Sequence, residues 1–362
     1  MLGKPGPWGQ LDYMTLYVDM PDEFVFVPGP NRPPVRWSFK DYSKEKVLEF
    51  FRSAGITPTQ LDMLQKAVWK SEAGGITVTP GDEFILSLAP EARAKIYSLL
   101  VTFPENARQI DPVCFQPGQI DEHLKDSGLA PSSVDLLKGL LYSRGPSLFL
   151  FADFEPALRR LPSDEERRRF VQAVVRKKAL LVRLRLDAAS NLDSIINYWS
   201  VGGRKKDIAP LLKALRHEGD TKIQIICLLP PFVRERLHTF PLSTDGSATG
   251  VKQDCFWTAM NFFNEPPDNS ASDTHSVETL NKEYYQILTP TQLGDTVFLT
   301  TPDGVPVHAA VYIADDIVFT KNGESFNQPW ILMHMQDMID EYVGKYAPSS
   351  PLKIFYYRKK SL

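Results

Sequence analysis

The apolar segments of this 362-residue chain are short. The longest candidates, around Ala179–Leu186 and Ile223–Leu229, are the size of a strand and well below the roughly 20 residues that a membrane-spanning helix requires. A chain built this way gains stability only by packing many short elements against one another, and 43% hydrophobic residues supply the apolar surface for it. The length accommodates two or three domains at roughly 100–200 residues each. Forty-one Lys and Arg residues stand against 44 Asp and Glu residues, so no global field draws nucleic acid or anionic lipid. Neither a nucleic-acid partner nor an integral membrane segment is expected.

Three cysteines occur, Cys114, Cys227 and Cys255. An odd, small set argues against a disulfide framework, and the spacing matches neither a zinc ribbon nor a C-x-x-C redox site, so no metal or cofactor is expected. Cys227 falls within the apolar segment Ile223–Leu229, which reads as a strand and predicts a buried, inert thiol.

The fold class expected is α+β, in four regions. Residues 1–40 form an extended or β entry segment, with strands at Tyr13–Val18 and Phe24–Val27 bounded by Pro and Gly. Residues 41–145 are mostly helical, over Lys44–Ser53, Pro58–Lys70, Pro90–Phe103 and Pro131–Tyr142, with Pro placed near first turns. Residues 146–240 alternate strands (Leu148–Phe151, Leu180–Leu186, Ile223–Leu229) with helices (Asp164–Lys178, Leu192–Trp199, Ile208–His217), which reads as a small α/β layer. Ten basic residues between Arg159 and Arg185 read either as a polyanion patch or as the solvated face of an amphipathic helix; Asp164, Glu165 and Glu166 favour the second. The low-complexity stretch Ser243–Gly250 then sets off the last region, 241–362.

In that region Gln253–Phe263 reads as a helix with Asp254 at its cap and Cys255 in its first turn. The positive end of a helix stabilises a thiolate, which predicts a nucleophile. A nucleophilic thiolate needs an imidazole to receive its proton and return it to the leaving group. Of six histidines, His123, His217 and His238 precede the region, His275 follows a polar loop and His334 falls in a late helix, Pro329–Lys345. His308 instead opens a strand, His308–Ile313, that turns at Ala314-Asp315-Asp316 into a second, Ile317–Thr320.

The ordered set Asp254-Cys255, Gly294-Asp295-Thr296-Val297-Phe298 and His308 with Tyr312-Ile313 resembles the NlpC-type papain-like cysteine peptidases over about residues 250–359. That family reads Asp-Cys on a helix, Gly-Asp-x-Val-Phe on a strand and His-x-x-x-Tyr-x-Gly before a turn. The resemblance implies a C-terminal papain-like domain, its cysteine helix packed on an antiparallel sheet, and thiol hydrolysis of an amide bond in peptidoglycan or a wall-derived peptide. Cys255 and His308 are the implied catalytic pair, and Asp254 the implied receiver of a free α-amine in an L-Ala-γ-D-Glu peptide.

Three departures from the family stand out. Phe256-Trp257 replaces small residues after Asp-Cys and is expected to narrow the substrate cleft; Ala314 replaces the turn glycine; the third catalytic histidine falls at Thr320. A residue that orients an imidazole needs only a hydrogen-bond acceptor, so Asn322 is read as the orienting residue ahead of Thr320, with a turn role for Asn322-Gly323 as the other reading. Two further readings of the region are an inactive papain-like binding or scaffold protein and a thioester acyltransferase. The segment Met1–Pro7 lacks the basic-then-apolar pattern of a secretory signal. Intact wall as substrate implies a signal before Met1 and a periplasmic or secreted location; recycled wall peptides imply the cytoplasm. The sequence sets no oligomeric state.

Overall fold

The computed structural model describes residues 1–25, 27, 33–72, 74–116, 118–145, 148–241, 252–270, 273–345 and 351–362. The Ser243–Gly250 stretch lies outside them, as does Phe26. The fold is α+β, and every strand pairing in its four sheets is antiparallel among the described residues. No helix among them is long and apolar enough to cross a membrane.

The chain divides into two compact units, one of Met1–Met20, Arg176–Ile339 and Ser350–Leu362, the other of Pro21–Val175 and Asp340–Ser349. These cuts differ from the sequence-based ones because strand pairing is non-local. Gln10–Val18 is not a separate entry segment: it pairs along its length with Lys177–Leu186, from Gln10 opposite Arg185 to Val18 opposite Lys177. Lys177–Leu186 pairs in turn with Thr221–Gln224, antiparallel, while Phe149–Phe151 belongs to a sheet of the other unit. The expected α/β layer does not form as one sheet: two of its strands pair antiparallel, and the third belongs to a separate sheet.

The second unit has its own core, in which Trp37, Phe51, Phe84 and Tyr97 pack ring against ring. Its helices start at strong caps: Ser43 accepts the Lys46 N–H, and Thr57 and Gln60 form a reciprocal capping box. The helix from Pro58 ends at Gln65, short of the expected Lys70, because Val68–Glu72 pairs with Gly75–Thr79, which pairs with Trp37–Lys40. Of the expected strand over Phe24–Val27, Phe24 closes the 3-10 turn Asp22–Phe24, and Val25 and Val27 belong to no strand.

The basic run between Arg159 and Arg185 is paired with acids in both units. Arg159 meets Asp82, Arg167 meets Asp164 and Arg169 meets Glu165, while Arg176 meets Asp19, Lys178 meets Asp337 and Arg183 meets Asp12. A polyanion patch needs unpaired cations, and this run offers few.

In the first unit a six-stranded sheet runs Tyr284–Ile287, Lys353–Lys359, Thr296–Thr300, Pro306–Ala314, Ile317–Lys321, Trp330–His334. Trp330–His334 is a strand where a helix is expected, and the helix begins only at Met335. Five consecutive buried residues in Ile317–Lys321 show why this strand gives no alternating pattern: both of its faces are covered. The hairpin turn needs no glycine, because its left-handed residue is Asp315, at φ 57°, and Asp tolerates that region.

Cys227 is exposed, in the 3-10 turn Ile225–Leu228 rather than in a buried strand. The pairing strand ends at Gln224, and the turn points the thiol outward. Cys227→Ala is accordingly expected to shift unfolding by no more than about 0.5 kcal/mol, read by urea denaturation. A loss near that of a core truncation would contradict the exposed placement.

Candidate active site

The cysteine helix, Cys255–Met260, begins where expected. Asp254 has extended backbone, and its Oδ1 accepts the Trp257 N–H at 2.8 Å, while the Thr258 hydroxyl donates to the Asp254 carbonyl at 2.7 Å. All six helix residues are buried. Phe256 lies against Phe298, Phe262 against Phe319, and the Trp330 indole donates to Thr258 Oγ1 at 2.9 Å. The helix thus rests on the sheet face formed by Phe298, Phe319 and Trp330. Trp257 packs on Phe232 and donates to Asn269 Oδ1 at 3.3 Å. Phe256 and Trp257 are committed to the core, at 8% and 1% exposure, rather than lining an open cleft, because the first turn faces inward.

Asn261, fully buried, ends the helix and organises the chain beyond it. Its amide donates to the carbonyls of Trp257 and Asp268, and its oxygen accepts the Asp268 N–H at 2.6 Å.

The Gly294-Asp295 motif is a structural clasp. Gly294 has φ 94°, and a Cβ there would lie 2.3 Å from the Phe263 ring, so only glycine fits. Asp295, buried, takes both guanidinium nitrogens of Arg358 at 2.7 Å and the N–H groups of Thr291 and Gln292. Backbone bonds between Gly294, Asp295 and Tyr312 fasten this corner to the strand that carries His308.

His308 is fully buried. Its Nε2 lies 3.0 Å from Thr320 Oγ1, and the same hydroxyl donates to Asn322 Oδ1 at 3.1 Å. A hydroxyl has one proton, and an amide oxygen only accepts; Thr320 therefore gives its proton to Asn322 and accepts from His308 Nε2–H. That direction places the ring proton on Nε2 and the basic lone pair on Nδ1. The Asn322 amide is held at its other end, 3.4 Å from Met333 Sδ. Thr320, rather than Asn322, touches the imidazole, and Asn322 acts one bond further back. Gly323 beside it has φ 110°, so the turn role holds as well.

The thiol meets the same strand one residue on. The Ala309 N–H donates toward the Cys255 sulfur, so the sulfur sits against the peptide that joins His308 to Ala309. The expected lowering of the thiol pKa is not found: burial pushes it up to about 12, the Ala309 N–H opposes this, Asp254 adds to it and Lys321 opposes it. A six-residue helix has a weak end field, and desolvation outweighs it.

Lys321 carries no signal in the sequence beyond a cation ending an apolar strand. It is fully buried, and its Nζ donates to the carbonyls of Gly323 at 2.7 Å and Ser325 at 3.0 Å. Burial pushes its ammonium down to about 8, opposed by Cys255, Asp254 and Glu324. The structure therefore joins His308, Thr320 and Asn322 in one hydrogen-bonded line on one face of the sheet and gathers Asp254, Cys255 and Lys321 on the other, where Phe256 and Trp257 serve as packing; the implied pair of Cys255 and His308 is divided between the two faces because neighbouring residues of a strand, His308 and Ala309, point to opposite sides.

Comparison with models of protein families, with curated proteins and with solved structures finds no match to this chain.

Proposed function

We propose that the region around Cys255 is a papain-like cysteine hydrolase site acting on an amide bond of a peptidoglycan-type peptide, needing no cofactor. The observation that supports this reading is the placement of Cys255 in the first turn of a helix capped by Asp254 and resting on the sheet that contains the His308 strand. In the reaction Cys255 gives its proton to solvent and attacks the substrate carbonyl carbon. Backbone N–H groups at the helix start hold the oxyanion. The departing amine takes up a proton from solvent, and water then cleaves the thioester, releasing the acid and restoring the thiol. Incubation of the full chain with L-Ala-γ-D-Glu peptides, followed by mass analysis, tests this: hydrolysis products support it, and transfer of the acyl group to an amine or lipid acceptor would replace it with the acyltransferase reading.

The second reading, an inactive binding or scaffold protein, is favoured by the 5% exposure of Cys255 and by its raised pKa. A thiol-directed electrophile that fails to label Cys255 in the folded chain would establish it.

Asp254 serves two tasks in the first reading, capping the helix and receiving the substrate's α-amine. Asp254→Asn keeps the acceptor that the Trp257 N–H requires but removes the charge. It is expected to lower kcat/KM for peptides with a free amino end by about 10- to 150-fold, the factor that follows from losing a charge-assisted hydrogen bond, and to spare N-acylated peptides. Equal losses on both substrates would leave Asp254 with the capping role alone.

A further inference from the structure

We propose that Lys321 is a positioning residue for the Cys255 thiolate, its ammonium supplying the counter-charge that lets a buried sulfur ionise. The proposal rests on the reading of Cys255 as a nucleophile and adds a residue that neither the family pattern nor the histidine line provides.

The strand register carries it. Val311 pairs with Phe319 across the hairpin, and the same register continued along that face sets Lys321 opposite Ala309. Ala309 is the residue whose N–H points at the Cys255 sulfur. Lys321 shares its strand face with Phe319, the face on which the cysteine helix rests, while Thr320 and Asn322 face the other way with His308. The imidazole and the ammonium therefore lie on opposite faces of the sheet, and only Lys321 shares the sulfur's face, where it is placed to balance the charge left on the sulfur.

An anchoring role alone does not account for a charge at this position. Two carbonyl acceptors, Gly323 and Ser325, would be satisfied by a neutral donor, without the cost of burying an ammonium. The charged and titratable groups that face the pair are Asp254 at the helix cap and Glu324 in the turn. Among those that favour the charged form of Lys321, Cys255 comes ahead of Asp254 and Glu324. A cation beside a desolvated thiol opposes the effect of burial where a short helix does not.

The test is the pH dependence of Cys255 alkylation by iodoacetamide in the folded full chain, read by mass spectrometry, with exposed Cys227 as the internal reference. Lys321→Gln keeps a donor for the turn carbonyls and removes the charge. It is expected to slow Cys255 alkylation at pH 7.5 at least tenfold and to move its inflection to higher pH, leaving Cys227 unchanged; Lys321→Arg should stay within about threefold of the parent chain. A Lys321→Gln profile identical to the parent's would overturn the proposal while leaving the nucleophile in place. A Cys255 that is unreactive at every pH in the folded parent chain would overturn the nucleophile reading and this inference with it. Should Lys321→Gln not fold, the reciprocal measurement decides: Cys255→Ala should lower the NMR titration midpoint of the Lys321 side chain, and an unmoved midpoint would sink the pairing.

Discussion

Cys255→Ala is expected to abolish hydrolysis of a wall-type peptide, lowering kcat by about 10³-fold or more, as removal of a nucleophile does in triad enzymes. The fold should survive, because the change removes a single sulfur from a buried site and leaves a small void, costing on the order of 1 kcal/mol. Initial rates together with urea denaturation of the same preparations check this. Substantial turnover by folded Cys255→Ala would remove Cys255 from the chemistry and leave the sheet and its cysteine helix to a binding role.

The largest stability effect is expected in the other unit, at Asp153. Arg93 is fully buried; its Nε lies 3.0 Å from Asp153 Oδ2, and its remaining nitrogens donate to the carbonyls of Gly139 and Ile85. Tyr97 donates its hydroxyl to the other carboxylate oxygen. Asp153→Ala therefore strands a guanidinium with no counter-charge at zero exposure, and removal of one partner from such a pair costs about 3–5 kcal/mol. Replacing both partners, Arg93→Met with Asp153→Leu, should recover much of that loss, because the penalty belongs to the unpaired charge rather than to the missing attraction. Denaturation midpoints of the single and double variants decide; a single variant as stable as the parent chain would mean that water reaches Arg93.

The elements legible in the sequence are those whose cause is local. Helix starts at Ser43 and Thr57 and at Asp254 follow from side chains that satisfy the first free N–H groups, and these residues announce themselves. Leu192–Trp199 is found at its expected bounds, for its cap and its apolar period lie within one short window. The hairpin around Asp315 and the placement of Cys255 at a helix start belong to the same class.

The features that sequence reading missed depend on residues far apart in the chain. Trp330–His334 looks helical because its strand character comes from pairing with Ile317–Lys321, and Val68–Lys70 reads as the end of a helix for the same reason. Cys227 appears buried by composition, yet the preceding strand stops at Gln224 and a turn exposes it. The choice between Thr320 and Asn322 rests on which side chain reaches His308 across the hairpin, a register question that no local pattern answers.

By itself, then, the sequence determined the residue types capable of thiol chemistry, their order along the chain and the caps that start the helices, since each follows from covalent neighbours and local hydrogen bonding. Only the tertiary structure decided that Gln10–Val18 completes a sheet with Lys177–Leu186, that burial raises the Cys255 thiol to about 12, and that Lys321 stands beside it as a cation. Desolvation and strand register are properties of what surrounds a residue in space, and the chain acquires them only when distant segments close around it.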